Sequence, residues 1–446
     1  MEKEEILTDN KQINLYNKIN LFFALFFACI PIINFIFNRF FICSIYALFM
    51  NWSLFYNIFI IIFCVLIFKK IINQIKKNRL LKLIYIFLIS FLTFVFLSNI
   101  INNSLNNNFY TFFGFIMIFI CIATLEKEYI KFFLNTTLVS IMFSFLLSII
   151  DPCQSWILYL NNGFPMSSFF SNPNYASYVA CMFIIILSNL IMMKKDVIEK
   201  IIYSIFFTIL SVYIYMNGSF ASITIIYLAL LIELIILWIK NKKCPLSILI
   251  VILSFIAICL LLELIPNFHD VCTCEYNYFI ECVAVFDNIF HTNLLQSIFN
   301  IPMVHGSDGW SRTSLIKEAV YHAIGGDEST FFGKLKVVIF GSGAGATQEY
   351  RPHNMFISIW LEYGIVASIL HYAILTLLLI YIIKNSKSYF DKIRPFIYAI
   401  FSYLFVTLFG SLIVYHYIYF ITIIAIATKI AFVNKNNIVV EKFDNM

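Results

Sequence analysis

Apolar residues run over helical lengths along most of this chain. Twelve such runs fall near 21–38, 53–68, 81–98, 109–125, 132–150, 174–193, 200–216, 219–239, 246–265, 356–383, 396–413 and 414–433. Most have the length that crosses a bilayer core of about 30 Å as a helix. The pattern predicts an all-α polytopic membrane protein with twelve transmembrane helices. One long segment of mixed polarity, 266–352, interrupts the series. The chain therefore divides into helices 1–9 (1–265), a loop domain (266–352), helices 10–12 (353–433) and a polar tail (434–446).

Composition agrees with the pattern. Hydrophobic residues make up 61% and charged residues 12%, against about 45–50% and about 25% in soluble domains. A soluble globule has nowhere to hide that surface, whereas lipid is a solvent for it. The net charge of +6 is not a nucleic-acid signal, because the bases fall in short connections between apolar runs. The opening MEKEEILTDNKQ lacks the basic start, short apolar core and small-residue cleavage site of a removable signal peptide. The first run is therefore expected to stay as an anchor.

The position of the bases sets the orientation. Lys69, Lys70, Lys76, Lys77, Arg79 and Lys82 follow the second run, and Lys127 and Lys131 the fourth. Lys194, Lys195 and Lys200 follow the sixth, Lys240, Lys242 and Lys243 the eighth, and Lys384, Lys387, Lys392 and Arg394 the tenth. The opposite short connections carry only Arg39. By the positive-inside rule both termini face the cytoplasm and 266–352 lies outside. That segment has nine acids and five bases, a net of −4, and with His353 at its end it carries five of the seven histidines. Its aromatic and aliphatic content predicts that it folds. Most of the eleven cysteines sit in apolar runs as small hydrophobes. Cys153, Cys272, Cys274 and Cys282 lie in outer connections, where either one disulfide or free thiols are compatible with the spacing.

The stretch GSGAGATQEYRPHNMFISIWLEYGIVASIL, 341–370, holds the densest candidate chemistry. A glycine-rich turn (Gly341, Gly343, Gly345) precedes Arg351, Pro352, His353 and Asn354, and a long helix is expected to follow. Proline suits the start of a helix, where its missing N–H costs nothing. Positions 353, 357, 360 and 364 would share one helical face. His353 would then stand at the membrane surface, with Glu362 about 13 Å deeper at 1.5 Å per residue. The glycine turn reads as a phosphate cradle or as a flexible turn. The turn is favoured, because no Lys-Ser or Lys-Thr follows as a P-loop needs. His353 by itself reads as a general base or as an interface histidine.

These residues resemble the signature of the O-antigen ligase and polymerase superfamily of bacterial membrane glycosyltransferases. The resemblance rests on Gly343 and Gly345, then His353-Asn354, Phe356-Ile357 and Glu362-Tyr363-Gly364. Asn172-Pro173-Asn174 with Ala176 looks like the superfamily's Asn-Pro-Asn at the outer end of a middle helix. Arg312, in GWSRTSLIKEAV, falls where its members carry an arginine in the outer loop. One position departs: MNGSFASI places Phe220 where many members have an arginine, and Arg351 is the candidate to replace that charge. The resemblance covers about 165–375. It implies a GT-C-like fold in the bacterial inner membrane, His353 and Arg312 as catalytic residues, and Arg351, Asn354, Asn172, Asn174 and Glu362 as substrate-binding residues. It implies no metal and no cofactor, and a polyprenyl-diphosphate-linked oligosaccharide as substrate. Other polysaccharide-assembly proteins would be partners.

The chemistry of such a transfer can be stated without the family. A leaving diphosphate calls for an arginine fork, and an acceptor hydroxyl calls for a base of near-neutral pKa. Arg312 reads as that fork or as a structural loop cation. The expected activity is polymerisation of lipid-linked repeat units at the outer face. A ligase that transfers glycan to lipid A-core is the alternative. A flippase or transporter is the rival from another class, although the short 194–200 connection and the external, off-centre loop do not resemble a duplicated transporter. A periplasm-active reporter fused at Asp327 should be active, and one fused at Asn241 silent. The reverse pattern would overturn the orientation.

Overall fold

A computed structural model of the chain describes Lys18, Val65, residues 68–104, most of 112–120, Ala123, and residues 127–150, 173–193, 196–216, 220–241, 246–263, 312–344, 346, 354–385, 390–407 and 414–435. Thirteen helices of ten residues or so and longer are found there. They are α1 (Phe68–Lys77), α2 (Arg79–Ile101), α3 (Lys127–Ile150), α4 (Pro173–Met193), α5 (Val197–Met216), α6 (Phe220–Asn241) and α7 (Leu246–Glu263), then α8 (Arg312–Ala323), α9 (Phe331–Phe340), α10 (Met355–Tyr363), α11 (Ile365–Asn385), α12 (Phe390–Thr407) and α13 (Val414–Lys435). Among the described residues no strand occurs. The described residues are all-helical, and four helices among them are long and apolar enough to cross a membrane: Arg79–Ile101, Val197–Tyr215, Ser222–Ile239 and Ile365–Asn385.

Local chemistry explains the boundaries. Asn78 separates α1 from α2 in extended conformation, and its Oδ1 accepts the N–H groups of Leu80 and Leu81 at 3.0 and 3.3 Å. It thereby satisfies two of the four orphan donors at a helix start. Pro173 begins α4 and the basic residues cluster beyond its end at Lys194 and Lys195.

The chain forms two compact units. In the unit built from 1–144, 366–397 and 417–446, α13 is buried on all sides from Phe420 to Ala431. In the unit built from 145–365 and 398–416, helices α4 to α7 pack together and α4 is the inner member, buried without a break from Ser177 to Asn189. A helix apolar all round is an inner helix.

The outer helices instead present apolar side chains outward. Ile89 on α2 is 62% exposed, Ile201 on α5 55% and Ile239 on α6 74%, which only a lipid surround makes favourable. On outer and inner helices alike, hydroxyls bond their own backbone, as water is not there to serve them. Thr93 donates to the Ile89 carbonyl at 2.9 Å, Ser211 to Phe207 at 2.7 Å, Thr376 to Tyr372 at 2.8 Å and Thr428 to Ile424 at 2.8 Å.

The apolar run 356–383 does not form one helix. It is two, α10 and α11, separated at Gly364. Gly364 has φ +90° and ψ 166°, a region reserved for glycine. The remaining 21 residues, Ile365–Asn385, are long enough to span alone at about 1.5 Å per residue. Glu362 therefore stands three residues before this span, and not 13 Å within it, and position 364 leaves the helical face shared by 357 and 360. The predicted runs at 21–38 and most of 53–68 lie outside the described residues.

Candidate functional site

The elements that carry the candidate residues belong to one unit. α8 begins at Arg312 and ends on a glycine-terminated turn. The Gly326 N–H donates to the Tyr321 carbonyl and the Gly325 N–H to His322, both at 2.9 Å, with Gly325 at φ +71°. This is the Schellman pattern, in which the positive-φ position excludes a side chain at low cost only for glycine. His322 Nδ1 pairs with the Asp327 carboxylate across the same turn. Thr330 then caps α9, its Oγ1 accepting the Gly333 N–H at 3.0 Å. Both α8 and α9 pack on α10.

α10 is held at both ends. Asn354 is its N-cap: its Oδ1 accepts the Ile357 N–H at 3.1 Å, while its carbonyl accepts the Ser358 hydroxyl at 2.8 Å. At the other end, the glycine-rich turn supplies what the helix lacks. The Ser342 N–H donates to the Leu361 carbonyl at 2.7 Å and the Gly343 N–H to the Glu362 carbonyl at 3.0 Å. Gly341, at φ +71°, lies directly against the backbone of Glu362 and Tyr363, and Gly364 lies against the carbonyl of Ile339. A Cβ at either glycine would overlap backbone. The turn is thus a helix cap. The phosphate-cradle reading loses the donors of Ser342 and Gly343, which are spent on carbonyls.

No family model, no curated protein and no solved structure matches this chain.

The packing of α8 on α10 brings the helix that Arg312 opens against the helix that Asn354 caps. Asn174 lies in the first turn of α4, directly after Pro173. Asn172, Arg351 and His353 lie outside the described residues, as do Cys153, Cys272, Cys274 and Cys282. Glu362 is buried in the last turn of α10, where the Tyr363 hydroxyl hydrogen-bonds its carboxylate.

The faces of α10 differ in a way that matters for chemistry. Met355, Ser358, Ile359, Leu361, Glu362 and Tyr363 are buried, whereas Phe356, Ile357 and Trp360 are half-buried. The partly open face is the one that holds Phe356, Ile357 and Trp360, and Glu362 is on the other. Trp360 is a residue that the motif reading passed over. Its ring stands edge-on to Phe356 at 6.4 Å, and its Nε1 N–H is buried with no hydrogen-bond partner among the described residues. An orphan buried donor costs about 1–3 kcal/mol. Its sequence signal was one of register: tryptophan two residues before the Glu-x-Gly, on the face of 353 and 357.

Gly364→Ala should sharply lower the amount of folded protein in the membrane, since it adds strain of about 1–3 kcal/mol to a backbone overlap. Gly333→Ala, in the first turn of α9, whose new Cβ would meet only side-chain atoms, the Glu328 carboxylate and the Thr330 Oγ1, should lower the amount by less. Thermal unfolding monitored by fluorescent size-exclusion chromatography reads both. Equal behaviour of the two variants would remove the cap from its structural role.

Proposed function

We propose that this protein is a membrane glycosyltransferase that polymerises polyprenyl-diphosphate-linked repeat units of O-antigen or a similar surface polysaccharide, at the outer face of the bacterial inner membrane. The observation that supports it most is the packing of α8, headed by Arg312, on α10, capped by Asn354. Two helices headed 42 positions apart in sequence pack on each other, and α10 directly precedes the membrane span α11. A lipid-linked donor would present its diphosphate and first sugar at that level.

Each role follows from chemistry. His353 takes the proton from the acceptor hydroxyl as that oxygen attacks the anomeric carbon of the donor. The bond from that carbon to the diphosphate oxygen breaks, and the diphosphate leaves on its lipid. Arg312 and Arg351 offset the charge that develops on the leaving group. Trp360 and Phe356 form an apolar platform on the open face of α10, and a sugar hydroxyl would satisfy the indole N–H. Glu362, on the closed face, holds α10 in place. A ligase would use the same steps with a different acceptor.

The test is transfer in vesicles that hold the purified protein and lipid-linked repeat units. His353→Ala should slow joining by about 10²–10⁴-fold, and His353→Asn nearly as much. Normal joining in the Asn variant would reduce His353 to a positioning residue. Arg312→Ala should abolish joining and Arg312→Lys restore it in part, because a point charge lacks the bidentate fork. Trp360→Phe keeps the ring and removes the donor, so KM should rise by up to about tenfold with kcat kept. Full activity in all these variants would exclude the proposed site.

A further inference from the structure

Helix α9 has a pattern that the transfer reaction does not use. Its sequence is FFGKLKVVIF. At about 100° per residue, Phe331, Leu335 and Phe332 share an arc of about 100°. Val338 and Ile339 fall on or beside the same arc, and Val337 faces the opposite way. Burial follows this geometry. Val337 is 9% exposed and faces the protein, whereas Phe331 is 74%, Phe332 81% and Leu335 41% exposed. Lys334 and Lys336 are exposed and flank the arc, one on each side. The turn after α8 lies against Lys334 and adds Ile324, 46% exposed, beside it.

The position of α9 decides what covers this stripe. Its last residues, Ile339 and Phe340, lie against Gly364. Gly364 directly precedes Ile365, where the 21-residue span with mean hydropathy 2.3 begins. The C-terminal end of α9 is therefore at the level at which the chain enters the bilayer, and the whole helix is about 15 Å long. Its Phe pair lies within that length of the level at which the chain enters the bilayer. An apolar arc edged by lysines is the pattern of a helix lying in the interfacial plane, where the lysine stems snorkel and the ammonium groups reach lipid phosphates.

We infer that α9 is an interfacial anchor: Phe331, Phe332 and Leu335 insert into the leaflet at which α11 begins, and Lys334 and Lys336 contact the phosphates of its anionic lipids. This goes beyond the transferase reading and does not depend on it, since it requires only that α11 spans. The anchor would fix the height of the glycine turn and of α10 above the membrane, because α9 and α10 share the cap at Gly341–Gly343.

Site-specific photo-crosslinking of the full chain tests this. A benzoylphenylalanine is placed at Phe332 or, as a control, at Asp327 in the neighbouring turn, which is 62% exposed by its side chain. The proteins are irradiated in cell membranes and in vesicles of phosphatidylethanolamine with phosphatidylglycerol. The expected result is a phospholipid adduct at 332 in both settings, several-fold above that at 327. Lys334→Ala combined with Lys336→Ala should lower the phosphatidylglycerol share of the adduct while the protein still accumulates. An adduct to another protein at 332 in cell membranes would make the stripe a protein interface and overturn the anchor. Equal yields at 332 and 327, or no lipid adduct in vesicles, would overturn it as well. An unchanged lipid share in the lysine variant would overturn the headgroup contact.

Discussion

A nine-residue helix ends with carbonyl groups that have no partner within it, and at the start of a membrane span water is a poor substitute. In this protein the answer to that problem is the turn at Gly341–Gly343, whose Ser342 and Gly343 N–H groups reach the carbonyls of Leu361 and Glu362. The bond can form only at close backbone approach, which is why Gly341 and Gly364 both sit at positive φ with no room for a side chain. From this single contact much else follows. It ends α10, it frees the chain to begin α11 as a separate span, and it ties α9 to the same level. α8, Arg312's helix, packs directly on the α10 that this contact ends.

With both ends capped, α10 becomes a rigid element with unequal faces. Ser358, Glu362 and Tyr363 are packed inward, and Phe356, Ile357 and Trp360 remain partly open. A rigid helix with one open face is a suitable support for residues that must be positioned closely, because its side-chain directions are set by backbone geometry and not by loop motion. The Glu-x-Gly resemblance takes on a physical meaning here. The glycine is required by the break and the glutamate belongs to the packed face, so the pair reports on architecture more directly than on chemistry.

The rest of the chain obeys the bilayer as its solvent. Inner helices α4 and α13 are buried all round, while α2, α5 and α6 turn isoleucines outward. Hydroxyls that would be hydrated in a soluble protein bond to carbonyls one turn back. Asn189, buried in α4, does likewise with its Nδ2 on the Ile185 carbonyl at 3.0 Å. Each of these bonds satisfies a donor that would otherwise stand in hydrocarbon, the constraint that restricts spanning segments here to helices.

The helical class and most helix limits were legible in the sequence by itself. The run at 174–193 became α4 from Pro173 to Met193, and the run at 246–265 became α7 from Leu246 to Glu263, because apolar length and terminal proline or charge act locally. The glycine-rich stretch was legible as a turn for the same reason. What the turn does was not. Hydropathy is continuous across 356–383, since glycine between tyrosine and isoleucine scarcely changes the sum, so the run gave no sign of the division at Gly364. That division comes from a contact with Ile339, 25 positions earlier, and no local pattern encodes it. The same holds for the candidate site. The residue types, Arg312, His353 and Asn354, could be chosen from their chemistry, whereas the association of α8 with α10, the closed face that takes Glu362 and the open face that presents Trp360 were decided by tertiary packing, because helix periodicity defines faces but not which of them a neighbour will cover.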